Sequence, residues 1–166
     1  MSLEDKPWLL QELLDLPYLP SPLAVIDAAL NAVNLRGEGF FADLGCGDAT
    51  VLVRAAQRLN FFCVGFEIDH RLLPEAKQNI KRAGLCSKID VVHADVFTVN
   101  LSGFDVVYVY PFPTITPRLS EKLRNECKKG AIALVHDYSL PNLIPSEIAQ
   151  VPENELHTHK IYVYKF

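Results

Sequence analysis

No stretch of this sequence is apolar for long enough to cross a membrane, no basic-then-apolar leader opens it, and no repeat or low-complexity tract divides it. Basic charge is also scarce. The chain has 16 lysines and arginines against 20 aspartates and glutamates, a formal charge of −4. That balance speaks against sequence-independent binding to nucleic acid, which needs a basic face. Cys46, Cys63, Cys86 and Cys127 form no Cys-x-x-Cys pair and keep no metal-ligand spacing to histidine. They are expected as free thiols in a reducing, cytoplasmic compartment, and no metal site is expected. What is present is an ordinary globular composition in 166 residues. The expectation is one domain over 1–166, opened by a helical entry segment over 1–37, with no room for a separate recognition domain.

The chain is organised around Gly39-Phe40-Phe41-Ala42-Asp43-Leu44-Gly45-Cys46-Gly47-Asp48-Ala49-Thr50. A short apolar run, as in a buried parallel strand, breaks into Gly-x-Gly and resumes at helical spacing over Thr50–Leu59. Strand, glycine turn and helix let backbone approach a nucleotide closely, because glycine has no Cβ in the way. Ala49 stands where a third glycine often occurs.

Around this unit the pattern alternates. A short amphipathic segment over Trp8–Leu16 stops at Pro17, and prolines at 17, 20 and 22 exclude regular structure between them. Ser21 reads as an N-cap and Pro22 as the first residue of a helix over Leu23–Val33. Strands are expected over Phe61–Glu67, Ile89–His93, Phe104–Tyr110 and Ala131–Val135. A helix beginning near Pro74 should stop at Gly84. Another should be capped by Thr116 and closed by Lys128-Lys129-Gly130. His159–Phe166 alternates like a half-buried strand, with Ile148–Val151 as its hairpin partner. The fold class is therefore α/β, a doubly wound Rossmann-like sheet with an antiparallel end.

In such a sheet, ligands bind beyond the carboxyl ends of the strands. Acids stand at three of those ends: Asp43, Glu67 and Asp95. Glu67 has the offset from the first strand at which a carboxylate accepts both ribose hydroxyls. Asp95 can meet an exocyclic adenine amine. Asp43 would repel a pyrophosphate but suits a cationic amino-acid end. The ligand this combination points to is S-adenosylmethionine, with Gly45, Cys46, Gly47, Ile68 and Val96 completing the cofactor-binding set.

Asp43-Leu44-Gly45-Cys46-Gly47-Asp48, Gly65-Phe66-Glu67-Ile68-Asp69 and Ala94-Asp95-Val96-Phe97 resemble, in order, the motifs of class I S-adenosylmethionine-dependent methyltransferases. That resemblance implies the strand order 3-2-1-4-5-7-6. Three further stretches are similar to small single-domain protein-lysine methyltransferases, the archaeal broad-substrate enzymes and their mitochondrial relatives acting on a component of ATP synthase. These are Pro17-Tyr18-Leu19-Pro20-Ser21, Lys122-Leu123-Arg124-Asn125-Glu126 with Gly130-Ala131, and Val135-His136-Asp137-Tyr138. The sequence departs from enzymes that methylate base amines or glutamine. Where those carry Asn/Asp-Pro-Pro-Tyr, it reads Tyr110-Pro111-Phe112-Pro113, with no side-chain amide or acid to accept from a planar amine.

The expected function is methyl transfer to a protein lysine. A small-molecule or RNA methyltransferase is the second reading, and a non-catalytic donor-binding module the third. Lysine must be neutral to attack, so aromatic walls that desolvate it suit the task. Tyr18, Tyr110, Phe112 and Tyr138 are the candidates, and His136 and Asp137 could assist proton removal. Tyr18, Tyr110, His136 and Asp137 form the catalytic set. His70, His93, His157 and His159 are left as structural or surface residues, because His157-x-His159 alone is too little for a metal. The expected partner is a protein with an accessible lysine.

Overall fold

The computed structural model describes residues 18–166. The segment expected as a helix over Trp8–Leu16 lies outside the described residues. Among the described residues twelve elements, one of them a short 3-10 turn, follow in chain order. They are α1 (Leu23–Asn31), β1 (Gly39–Leu44), α2 (Thr50–Arg58), β2 (Phe61–Glu67), α3 (Leu73–Arg82) and β3 (Ile89–His93). Then come β4 (Val106–Val109), the 3-10 turn Pro113–Ile115, α4 (Thr116–Glu126), β5 (Ile132–His136), β6 (Glu147–Pro152) and β7 (Thr158–Lys165).

One seven-stranded sheet has the order β3-β2-β1-β4-β5-β7-β6, the expected one. β1 to β5 pair in parallel, and β7 runs antiparallel to both β5 and β6. β1 is central, flanked by β2 and β4, so Phe41, Ala42, Asp43 and Leu44 are all buried. That double burial is why β1 reads as an apolar run rather than as an alternation.

Each face of the sheet has its own core. On one face, Val25, Ile26 and Ala29 of α1, Leu52 and Ala55 of α2, and Ala76 and Ile80 of α3 pack on Phe41, Tyr108, Leu134, Ile161 and Val163. On the other, Leu119 and Leu123 of α4 cover Leu44, Val107, Val109, Ala133 and Val135. The chain winds outward in opposite directions from β1 and β4. A crevice must therefore open between their carboxyl ends, where the two flanking connections part.

Several helix ends differ from the sequence reading. Ser21 does not cap α1. Pro22 takes the cap position with an extended backbone, and its carbonyl receives the N–H groups of Val25 and Ile26. Ser21 lies one residue further out, and its hydroxyl is engaged by Tyr108 and His136 instead. The helix also ends at Asn31, short of Val33. Thr116 lies inside α4, not at its cap; Ile115 holds that place, and the Thr116 hydroxyl donates to the Pro113 carbonyl at 2.9 Å. α4 stops at Glu126, so Lys128 falls beyond it and pairs with Asp105 at 2.7 Å.

Candidate functional site

The crevice is a cavity of about 420 Å³ at the carboxyl edge of the sheet, within the usual size of a small-molecule site. Two kinds of surface line it. Gly45, Glu67, Ile68, Asp95, Val96 and Phe97 form one; Tyr18, Tyr110, Phe112 and Tyr138 belong to the other. All four aromatics singled out from the sequence line this space.

The glycine turn is tied down by its own backbone. The N–H groups of Gly45 and Cys46 both donate to the Phe66 carbonyl, at 2.8 and 3.1 Å, and Ala49 N–H donates to the Cys46 carbonyl. Gly45 has φ +85, and a Cβ there would meet nothing within 4 Å. Its missing side chain is therefore room for a ligand. Gly47 (φ +53) is different, because a Cβ would run into the Tyr18 ring. The close approach at Gly47 is made by Tyr18, whose hydroxyl donates to Asp48 Oδ1 at 2.8 Å. Ala49 adopts φ +69, the conformation that glycine takes most readily.

Glu67 is buried, with each carboxylate oxygen receiving one backbone N–H: Gly47 on Oε2 at 2.8 Å and Asp69 on Oε1 at 2.9 Å. A carboxylate can accept about four hydrogen bonds, so capacity remains on both oxygens for two hydroxyls. Asp95 Oδ1 accepts from Phe97 N–H at 2.9 Å, which fixes the turn after β3. Ile68, Val96 and Phe97 supply flat apolar surface between the two acids. Arg118 stacks over the Phe97 ring at 3.9 Å and holds it in place.

Asp43, Cys46 and Gly47 do not line the cavity; they stand behind it. Asp43 is 2% exposed, and burial, with Glu67 and Asp48 nearby, holds its carboxyl well above the ordinary range. Burial likewise pushes the Cys46 thiol up, so it is no nucleophile.

Of the expected catalytic set, Tyr18 and Tyr110 reach the cavity, whereas His136 and Asp137 do not. The structure stacks them behind Tyr110. The His136 ring lies 3.8 Å from the Tyr110 ring, and the Tyr110 hydroxyl donates to Asp137 Oδ2 at 3.1 Å. His136 is fully buried, and that burial lowers it to about 4, so it is neutral at physiological pH. Desolvation, helped by Asp137, pushes the Tyr110 hydroxyl up to about 12. Tyr110 is thus a protonated, braced wall residue.

Three participants escaped the sequence reading. Asp48 orients Tyr18, Ser21 anchors the entry segment on Tyr108 and His136, and His159 contacts His136 at 3.0 Å. Only His159 carried a usable signal. In β7 it falls in phase with Ile161 and Val163, the buried face of an alternating strand.

Residues 43–147 match the model of the family described as the ANTKMT methyltransferase domain. A protein-lysine N-methyltransferase of Saccharolobus islandicus is 29% identical over 149 residues, covering 89% of this chain and 92% of that protein. The mouse adenine nucleotide translocase lysine N-methyltransferase is 28% identical over 91% of this chain, which spans 63% of that longer protein. Among solved structures, an RNA methyltransferase from Salinibacter ruber in complex with S-adenosyl-L-homocysteine superposes with a TM-score of 0.77 at 26% identity. That match covers 89% of this chain and 94% of the other.

Proposed function

The chain belongs to the family of the ANTKMT methyltransferase domain, and on that footing we propose that it transfers methyl groups from S-adenosylmethionine to lysine side chains of proteins. The observation that carries this reading is one cavity lined both by carboxylates with an open glycine and by four aromatic rings. The residues fit the donor. Gly45 leaves space for it, Glu67 keeps acceptor capacity for a ribose, and Asp95 with Ile68 and Val96 suits an adenine edge and face. Asp43, Cys46 and Gly47 shape that wall from behind. Bound there, the donor supplies an electrophilic methyl group on a sulfonium.

The chain's own part is to present a neutral amine in line with that methyl. Free lysine has a pKa of about 10.4, so its charged form must be disfavoured at the site. Tyr18, Tyr110, Phe112 and Tyr138 do this by excluding water, while their faces tolerate residual positive charge. His136 and Asp137 position Tyr110, and reach the acceptor only through it. The rate then comes mainly from orientation, with no covalent intermediate on the enzyme. One domain holds both donor and acceptor.

The test is incubation of the protein with donor and a mixture of lysine-rich polypeptides, followed by digestion and mass spectrometry. Methyl increments on lysine, lost in Glu67→Ala, are expected. Increments confined to another residue type, or to added RNA, would overturn the lysine assignment. Donor binding without transfer to any acceptor would leave a binding module.

A further inference from the structure

Behind the aromatic wall the chain gathers His136, Asp137 and His159, whose ligand atoms lie within 4.8 Å of one another. The sheet makes this cluster. His136 ends β5 and sits opposite Ile161 of β7, two residues on from His159. Asp137 follows in the left-handed region, φ +61. Its N–H donates to the Lys160 carbonyl at 2.7 Å, and its Oδ1 accepts from Lys160 N–H at 2.9 Å. Held from both sides, the carboxylate turns Oδ2 onto the two imidazoles. Oδ2 is 3.0 Å from His159 Nδ1 and 3.4 Å from His136 Nε2, and these nitrogens are 3.0 Å apart.

In either neutral tautomer His159 keeps one unsatisfied nitrogen. A neutral imidazole carries one N–H. With the proton on Nδ1, the buried Nε2 is an acceptor without a donor. With the proton on Nε2, that N–H has no hydrogen-bond partner, and the Nδ1 lone pair meets a carboxylate oxygen at 3.0 Å. A cation on Nδ1 removes the second conflict and fixes the proton on Nε2, where Glu153 Oε2 stands 3.7 Å away. Metal-bound histidines commonly aim the far N–H at a carboxylate or hydroxyl, and Glu153 stands there at ion-pair rather than hydrogen-bond distance. His136 has the matching arrangement, with Nδ1 at 3.1 Å from Ser21 Oγ.

We propose that His136 Nε2, His159 Nδ1 and Asp137 Oδ2 bind one divalent cation of the zinc type. Neighbouring ligands on tetrahedral zinc lie about 3.3 Å apart when each bond is about 2.0–2.1 Å, which matches the spacing of these three atoms. Two imidazoles and one carboxylate favour zinc over magnesium or calcium, which take oxygen ligands. A second trio, Glu153, His157 and His159, shares His159 but is more exposed, and its His157 Nε2 lies 3.4 Å from the same His159 Nδ1. The ion clamps β5 to β7 and, through Asp137, steadies Tyr110. Nothing in this inference depends on the identity of the methyl acceptor.

The test is calorimetric titration of the chelator-stripped full chain with zinc chloride, and separately with magnesium chloride. One equivalent of zinc binding below micromolar, no magnesium binding, and a higher melting temperature with zinc are expected. Asp137→Asn and His159→Gln should each weaken zinc by at least about 100-fold. His70→Ala, an exposed histidine elsewhere, should change nothing. Asp137→Asn is the safer variant, because asparagine tolerates positive φ and keeps the size of the side chain. Zinc binding weaker than about 100 μM in the parent, or equal in parent and a folded Asp137→Asn, would overturn the proposal.

Discussion

Asp43 is a carboxyl placed where the protein alone would rather not have a charge. Burial and two neighbouring acids raise it well above its ordinary range. The native state holds a proton that the unfolded chain releases, so stability falls as pH rises past the unfolded value of about 3.9. Asp43→Asn removes this penalty. In donor-free protein at neutral pH it should raise the melting temperature, each 1 kcal/mol recovered being worth roughly 2–4 °C at this chain length. The difference should vanish below the ordinary carboxylate range. The proposed donor site also predicts a drop in donor affinity of at least about tenfold, because the variant takes away a buried carboxyl beside the glycine turn that would balance a cationic end. Scanning calorimetry across pH, paired with donor titration, checks both halves. Unchanged stability together with unchanged affinity would refute this role.

Tyr18 invites a second substitution. Its ring covers Gly47 and its hydroxyl is held by Asp48. Tyr18→Ala should lower turnover at saturating donor by about 10–100-fold while donor affinity changes far less. Tyr18→Phe, keeping the ring, should retain most activity. A loss of affinity as large as the loss of turnover would move Tyr18 from the acceptor wall to the donor wall.

Elements were legible where their signal was local. The Gly-x-Gly turn, the apolar runs of β1 and β2, and the alternation of β7 each follow from neighbours in sequence, and all appear as expected. Helix N-caps were not legible, because they depend on what else competes for a hydroxyl, whereas the stop of α3 at Gly84 (φ +69) was. Ser21 has the right residue type for a cap, yet Tyr108 and His136, far away in sequence, hold it. The same limit hid the brace behind Tyr110, which is made only when β5 and β7 pair.

Lys122 shows what a short motif does physically. It is buried on α4, where its ammonium donates to Glu126 one turn on and to the Val99 carbonyl, while Glu126 also accepts from Leu101 N–H. The pair fastens the connection between β3 and β4 to α4. Lys122→Ala should destabilise by about 2 kcal/mol, leaving Glu126 partly uncompensated. Denaturant unfolding measures this, and a cost under about 0.5 kcal/mol would mean that the pair is too solvated to matter.

The whole molecule places its chemistry at one edge of one sheet. The carboxyl ends of β1 and β2 and the turn after β3 supply the acidic surface, and the segment before α1 together with those after β4 and β5 supplies the aromatics. Among the described residues no helix is long and apolar enough to cross a membrane. Tyr18 and Tyr138 of the aromatic wall are themselves exposed, so an acceptor reaches the cavity from solvent, as suits a lysine on a protein surface. The central claim is that the transferred methyl ends on a lysine nitrogen. It is tested most directly by incubating the enzyme with tritiated S-adenosylmethionine and a lysate of the source cells, then hydrolysing the labelled protein and separating its amino acids. Label co-migrating with methylated lysine, and absent when lysines are chemically blocked beforehand, is the predicted result. Label in nucleic acid, in small molecules or in any other amino acid would contradict the account.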